Sequence, residues 1–274
     1  MLAGAGPARQ TGRASPLGRR YMSPPFLERC SETGRELGRG LLHVLFPPCC
    51  HLCGRPLARA APFCVPCQAA LAADGSPPCP RCAATAGPFA IIDGRCAVCR
   101  KETVVFDSAV RLGLYDGLLR EAVLRIKIHT GEAMAELLGE FWADHTGAVL
   151  RSVRADMIVP VPLHWRRRWR RGYNQSAALA HGLANRLRLP CGAFGLRRTR
   201  ATPMQTAQTL AGRRDNVRGA FAAARNVRLQ GKTVLLVDDV MTTGATASEA
   251  ARALKAAGAA RVTVAVLARA HTGT

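Results

Sequence analysis

"VLLVDDVMTTGAT", Val234–Thr246, decides how this chain is read. Four apolar residues lead into two adjacent acids, then two threonines, a glycine, an alanine and a threonine. A short, unbroken Val/Leu run fits a strand covered on both faces of a parallel sheet. In such sheets ligands bind beyond the carboxyl ends of the strands, so Val234–Val237 delivers Asp238 and Asp239 to that edge. Met241–Thr246 reads as the turn into a helix, where free N–H groups and the positive end of the dipole attract an anion. Thr242, Thr243 and Thr246 add hydroxyl donors beside the small Ala245, and Gly244 lets the backbone come close. The two acids would repel a phosphate held there, so they must face hydroxyls or a cation next to it. A phosphate beside a vicinal diol describes a ribose 5-phosphate. No Gly-x-x-x-x-Gly-Lys-Ser/Thr loop is present. A plain helix cap needs one capping side chain, and this stretch supplies more.

Strand and helix patterns alternate on either side of it. "DSAVRLGLYDG" reads as a strand and turn. "LLREAVLRIKIHTGEAMAELLGEFWADHT" reads as one or two amphipathic helices, with a break at Thr130–Gly131. "ADMIVPVPL" is a short buried strand ending at Pro160 and Pro162, "NQSAALAHGLANRLRL" a helix opened by Asn174 or Ser176, and "TASEAARALKAAG" a helix closed by Gly258. "KTVLLVDDV" is a second buried strand and "RVTVAVLAR" a third. The expected fold class is α/β, a parallel sheet flanked by helices.

Before this alternation stand four Cys-x-x-Cys pairs: Cys50/Cys53, Cys64/Cys67, Cys79/Cys82 and Cys96/Cys99. Each pair can aim two thiolates at one metal, and two pairs complete a tetrahedral zinc site. Four pairs make two structural Zn²⁺ sites, a small double zinc ribbon. Sequential grouping is the simplest; interleaved grouping and competition between Cys49 and Cys50 stay open. Redox dithiols are the alternative. The Pro-, Ala- and Gly-rich block has few large apolar residues, so metal should supply most of its folding free energy. Cys30 and Cys191 stand alone and read as ordinary thiols. Expected domains are a disordered extension over 1–25, a helix plus the zinc ribbon over 26–101, and the α/β domain over 102–274.

The chain carries 39 Lys plus Arg against 18 Asp plus Glu, a formal charge of +21. That balance suggests a polyanionic partner, though an Arg- and Ala-rich composition alone gives the same charge. Between Arg151 and Arg228 the sequence has 17 arginines and two acids. Within that span "WRRRWRR" interleaves Trp165 and Trp169 with Arg166, Arg167, Arg168, Arg170 and Arg171. Arginines can track phosphates while tryptophans stack on single-stranded bases. The opposing reading buries both tryptophans at i, i+4 spacing under a solvated basic face. No apolar run approaches the roughly 18 residues of a membrane span, and the first 25 residues lack a signal's apolar core, so a cytoplasmic location is expected.

Val234–Thr246 resembles the phosphoribosyl-pyrophosphate signature of type I phosphoribosyltransferases. Together with the four cysteine pairs, "VPVPLH" (Val159–His164), "RGYNQ" (Arg171–Gln175) and "NVRGAF" (Asn216–Phe221), it makes the chain similar to the ComF family of competence-related proteins. "KIHTG" (Lys127–Gly131) departs from that pattern, with Ile128 where an aromatic is expected. The resemblance implies phosphoribosyl pyrophosphate with Mg²⁺ as ligand, and glycosyl transfer at ribose C1 with loss of pyrophosphate. Asp238 and Asp239 would contact the ribose hydroxyls, and Met241, Thr242, Thr243, Gly244, Ala245 and Thr246 would hold the 5-phosphate. Val161, Pro162, Leu163 and His164 would cradle pyrophosphate, with Lys127 and Arg171 as nearby cations. Arg213 and Arg214, in a polar segment over 197–219, would cover it. The resemblance also implies a role in DNA uptake or nucleoside metabolism. Single-stranded DNA, a competence helicase and a membrane DNA channel would be partners, at the inner face of the cytoplasmic membrane. Either an active transferase or a module that keeps the ligand site without turnover fits these features.

Overall fold

The apolar runs assemble side by side, and the cysteine block packs against their edge. The computed structural model describes residues 48–87, 89–101, 104–200, 217–224 and 227–270. The extension over 1–25, the helix expected over 26–46, and Arg213 and Arg214 lie outside the described residues. In chain order the described elements are α1 (Val65–Leu71), α2 (Ala97–Lys101), β1 (Ser108–Leu114), α3 (Gly117–Arg125), α4 (Glu132–Ser152), β2 (Met157–Pro160), α5 (Trp165–Arg171), α6 (Gln175–Leu187), β3 (Leu196–Arg198), β4 (Phe221–Ala223), β5 (Thr233–Met241), α7 (Ala245–Ala256) and β6 (Arg261–Arg269). Cys49–Thr274 clusters as one compact unit.

The main sheet has the order β1-β6-β5-β2, and every pairing is parallel. Side chains alternate between its faces. Leu235, Val237, Ala265 and Leu267 meet Leu138 and Trp142 of α4 and Leu179 and Leu183 of α6. Val234, Leu236, Val262 and Val264 meet Ala250 and Leu254 of α7 and Phe106. Both faces are therefore covered, which is why these strands carry no polar alternation. β3 and β4 pair antiparallel as a separate two-stranded ribbon, Leu196 opposite Ala223.

α4 and α6 approach closely because Gly182 offers no side chain; a Cβ there would lie 2.1 Å from the Glu136 carbonyl oxygen. The helical break falls where the sequence suggests, with α3 ending at Arg125 and α4 starting after Gly131. α4 runs beyond the expected Thr146, to Ser152. Thr146 has non-helical angles (φ −117°, ψ 23°), and its hydroxyl donates to the Trp142 carbonyl at 3.2 Å. That back-bond bends the helix while letting it continue.

Candidate functional site

β5 carries both acids near its carboxyl end, as the strand "KTVLLVDDV" predicts, and runs on through Met241. β6 is equally long and keeps β5 extended, with Asp238 opposite Val266 and Met241 opposite Arg269. Met241 is consequently buried in the strand's end, and the turn shortens to Thr242–Gly244. Gly244 is left-handed (φ +81°) and supplies no side-chain cap to α7. The buried Thr243 hydroxyl accepts the Ala245 N–H at 3.3 Å. The first-turn N–H groups of a helix have no partners within the helix. Ala245 and Thr246 thus sit where an anion would meet α7.

The acids differ in their surroundings. Half-buried Asp238 accepts the Ser176 hydroxyl at 2.9 Å and the Asp239 N–H at 3.0 Å. Removal from water, then the neighbouring Asp239 charge, raise its pKa above the usual carboxylate range against those donors. Asp239 is 7% exposed. Lys127 Nζ lies 3.1 Å from its Oδ2. The contact is an ion pair rather than an aligned hydrogen bond, so this buried oxygen has a charge partner but accepts no hydrogen bond among the described residues. Tyr173 donates its hydroxyl to the Ile126 carbonyl, pinning the segment that carries Lys127. Burial pushes the Tyr173 phenol up to about 12, so it stays a donor. Ile128, beside Lys127, is exposed.

Asn174 joins the loop after β2 to the acids. Its Oδ1 accepts the Ser176 N–H at 3.2 Å, and its Nδ2 donates to the Val161 carbonyl at 3.1 Å. Val161 is buried. Pro162 and Leu163 line a groove of 620 Å³ with Trp165, Phe194 and Arg198, a groove that does not include Asp238 or Asp239. His164 is not a solvated loop residue: it is 7% exposed and caps α5, its Nδ1 accepting the Arg166 N–H at 3.4 Å. Burial, then Arg198, Arg166 and Arg167, lower its pKa and keep that nitrogen an acceptor. Arg171 is turned to the Gln175 side-chain oxygen.

The cysteines gather sequentially. Cys50, Cys53, Cys64 and Cys67 form one group, and Cys79, Cys82, Cys96 and Cys99 the other, with all sulfurs of a group within 4.8 Å of one another. Cys49 stays exposed outside the first group. Four thiolates this close need a cation among them. Burial raises Cys50, yet the N–H groups of Cys53, Cys64 and Leu52 outweigh it and bring the thiol down to about 6. Burial and neighbouring sulfurs raise Cys67 and Cys82. Sulfur-only sets of this size suit closed, structural zinc. Cys191 remains apart, a thiol pushed up to about 11 by burial.

On α5 nothing is buried: Trp165 is 63% and Trp169 85% exposed. The opposing reading, tryptophans packed inward, is overturned. A seven-residue helix capped by His164 and ended by left-handed Gly172 leaves both rings outside. Arg166 lies 5.2 Å over Trp165, and Arg168 6.0 Å over Phe194.

The motifs do not point to Ser176 or Arg269 as parts of this site. Ser176 is hidden in a sequence that reads only as a helix cap. Arg269 had a signal: it is a charge placed directly after the apolar run Val264–Ala268 within β6, and it is 2% exposed.

Residues 174–274 match the phosphoribosyl transferase domain family. The DNA utilization protein YhgH of Escherichia coli K12 is 32% identical over 227 residues, covering 81% of this chain and 97% of the relative. Competence protein F of Haemophilus influenzae is 32% identical over 188 residues, 64% of this chain and 78% of the relative. The B. subtilis glutamine phosphoribosylpyrophosphate amidotransferase structure, complexed with ADP and GMP, aligns at 28% identity and a TM-score of 0.35, over 50% of this chain and 26% of that one. No helix among the described residues is long and apolar enough to cross a membrane. With its phosphoribosyltransferase-like domain behind two four-cysteine groups, the chain belongs to the ComF family of competence-related proteins.

Proposed function

We propose that the protein binds phosphoribosyl pyrophosphate at the sheet edge formed by Asp238, Asp239 and the Thr242–Thr246 turn. The observation that carries this reading is the Asp239 Oδ2, buried beside Lys127 without a hydrogen-bond donor. A buried acceptor left unmade is costly, and a ribose hydroxyl is a donor of the right kind. Ser176 already orients Asp238 for the second hydroxyl. The start of α7, where Gly244 offers no side chain and Thr243 holds the Ala245 N–H, then receives the 5-phosphate with Thr246. The Val161–His164 loop, tied to this network through Asn174, receives the diphosphate. Carboxylate oxygens here suit Mg²⁺, a hard cation that supplies positive charge to the diphosphate when bound. The two cysteine groups are taken as zinc-bearing scaffold.

Isothermal titration with phosphoribosyl pyrophosphate and Mg²⁺ tests this. Wild type should saturate one site, and Asp238→Asn/Asp239→Asn should bind at least tenfold more weakly. Equal affinity for both would remove the site. Pyrophosphate release in the presence of bases, amines or water then separates a transferase from a binding module.

A second reading, a surface for single-stranded DNA on α5, is favoured by the exposure of Trp165 and Trp169 among arginines. Such stacking contributes about 1–3 kcal/mol per base. Trp165→Ala with Trp169→Ala should weaken single-strand binding without changing Tm; unchanged affinity would end that reading.

A further inference from the structure

We infer that the second cysteine group and the phosphate-binding turn form one mechanical unit, joined by Arg269, so that metal at Cys79/Cys82/Cys96/Cys99 holds Thr242–Thr246 in its ligand-ready form. The identity of the ligand rests on the reading above; the coupling does not.

The Arg269 guanidinium reaches both sides. Its Nε donates to the Cys82 carbonyl at 3.2 Å. Its Nη1 donates to the Met241 carbonyl at 3.0 Å, to the Thr242 carbonyl and to the Ala270 carbonyl at 3.1 Å. A planar, always-charged fork transmits position between its acceptors better than a flexible ammonium. Its near-complete burial means those carbonyls are what keep the charge in place.

A second contact runs in parallel. Ala83, next to Cys82, is fully buried and left-handed (φ +56°), and its carbonyl accepts Arg111 Nη1 at 2.5 Å. Ala83 belongs to the same buried cluster as Phe106, whose ring lies against Gly244. Arg81 donates to the Asp107 and Val104 carbonyls on either side of Phe106, at 2.6 and 3.1 Å. Three consecutive residues of the knuckle, Arg81–Ala83, therefore meet the turn or its support.

Ligation of Cys79 and Cys82 fixes the knuckle backbone between them. Loss of the metal frees the Cys82 and Ala83 carbonyls to move, and Arg269 then loses the anchor against which it holds Met241 and Thr242. Such coupling is reciprocal: a ligand that orders the turn also slows metal loss.

Hydrogen exchange on the full chain tests this without any ligand. Arg269→Met, with two zinc equivalents retained, should speed exchange of the amides over 242–247 at least tenfold and leave those over 125–128 unchanged. Cys82→Ser should act on 242–247 in the same way. If it fails to fold, partial zinc removal from the wild type by a chelator takes its place, and exchange over 242–247 unmoved by metal loss would overturn the coupling; Arg269→Lys, which keeps the charge but not the fork, should behave as Arg269→Met. Wild-type exchange over 242–247 in the Arg269 variants would overturn the coupling. If exchange rises as expected but wild type shows no titration heat with phosphoribosyl pyrophosphate, the coupling stands and the ligand assignment falls.

Discussion

The two cysteine groups have the same ligands and the same Cys-x-x-Cys spacing, yet they are built into the molecule differently. In the first, Cys53 is exposed. Its neighbours are helical: Phe63 meets Phe141 edge-on at 5.9 Å, and Arg125 donates to the Leu52 carbonyl. In the second, all four cysteines are buried. The Pro80 carbonyl accepts the Ala109 N–H of β1 at 3.1 Å, and Arg111 and Arg269 reach it from strands. The first group offers the Leu52 carbonyl to Arg125, and the second offers the Cys82 and Ala83 carbonyls to Arg269 and Arg111, so the elements carrying these arginines set what each group is tied to. Arg125 ends α3, two residues before Lys127 and so on the carboxylate side of the site. Arg269 ends β6, beside the Thr242–Gly244 turn.

The sharpest way to break this comparison is to strip both metals. Apparent binding free energies of structural zinc are about 10–16 kcal/mol, so chelation should cause the largest loss of stability. Calorimetry on Cys53→Ser and Cys82→Ser should show the greater drop in Tm for Cys82→Ser, since that group is tied to the sheet. A greater drop for Cys53→Ser would reverse the ranking.

Next comes Asp74→Ala. It removes the carboxylate 2.9 Å from buried Arg111 and leaves that charge without its ion partner. Breaking a buried pair costs about 3–5 kcal/mol, readable by urea denaturation. Arg252→Ala, which removes the exposed partner of Glu249, should cost less than about 1 kcal/mol.

The smallest effect has the opposite sign. The Asp238 pKa is raised in the folded state, so the folded protein holds a proton that the unfolded chain gives up at about pH 4. Stability is full below that pH and falls as pH rises through the higher folded value. Asp238→Asn escapes this loss, so its Tm should exceed wild type increasingly above pH 4, by about 2–4 °C per kcal/mol relieved. Equal melting curves at pH 4 and pH 7 would contradict the shift.

The apolar runs made the sheet legible because parallel strands covered on both faces leave no alternation to misread. The cysteine groups were legible because metal ligation demands fixed spacing. Their sequential grouping, and the place of Cys50 rather than Cys49 in the first, were left open by spacing and are decided by which sulfurs the fold brings together. The strand "KTVLLVDDV" was legible to within a residue of β5; what stayed hidden is that Met241 belongs to the strand and not to the turn, because β6, remote in sequence, supplies the ladder that keeps it extended. The exposure of Trp165 and Trp169 was equally hidden: i, i+4 spacing says which residues share a helix face, not whether anything covers it. Arg269 and Ser176 act through contacts made across 187 and 62 residues of chain, which no local pattern encodes.

A crystal structure of the full chain with phosphoribosyl pyrophosphate and Mg²⁺ tests the ligand site most directly. The ribose hydroxyls should lie on Asp238 and Asp239 and the 5-phosphate on the N–H groups of Thr242–Thr246. Ligand density confined to the 620 Å³ groove beside Trp165 and Phe194, with Asp239 still facing only Lys127, would contradict it.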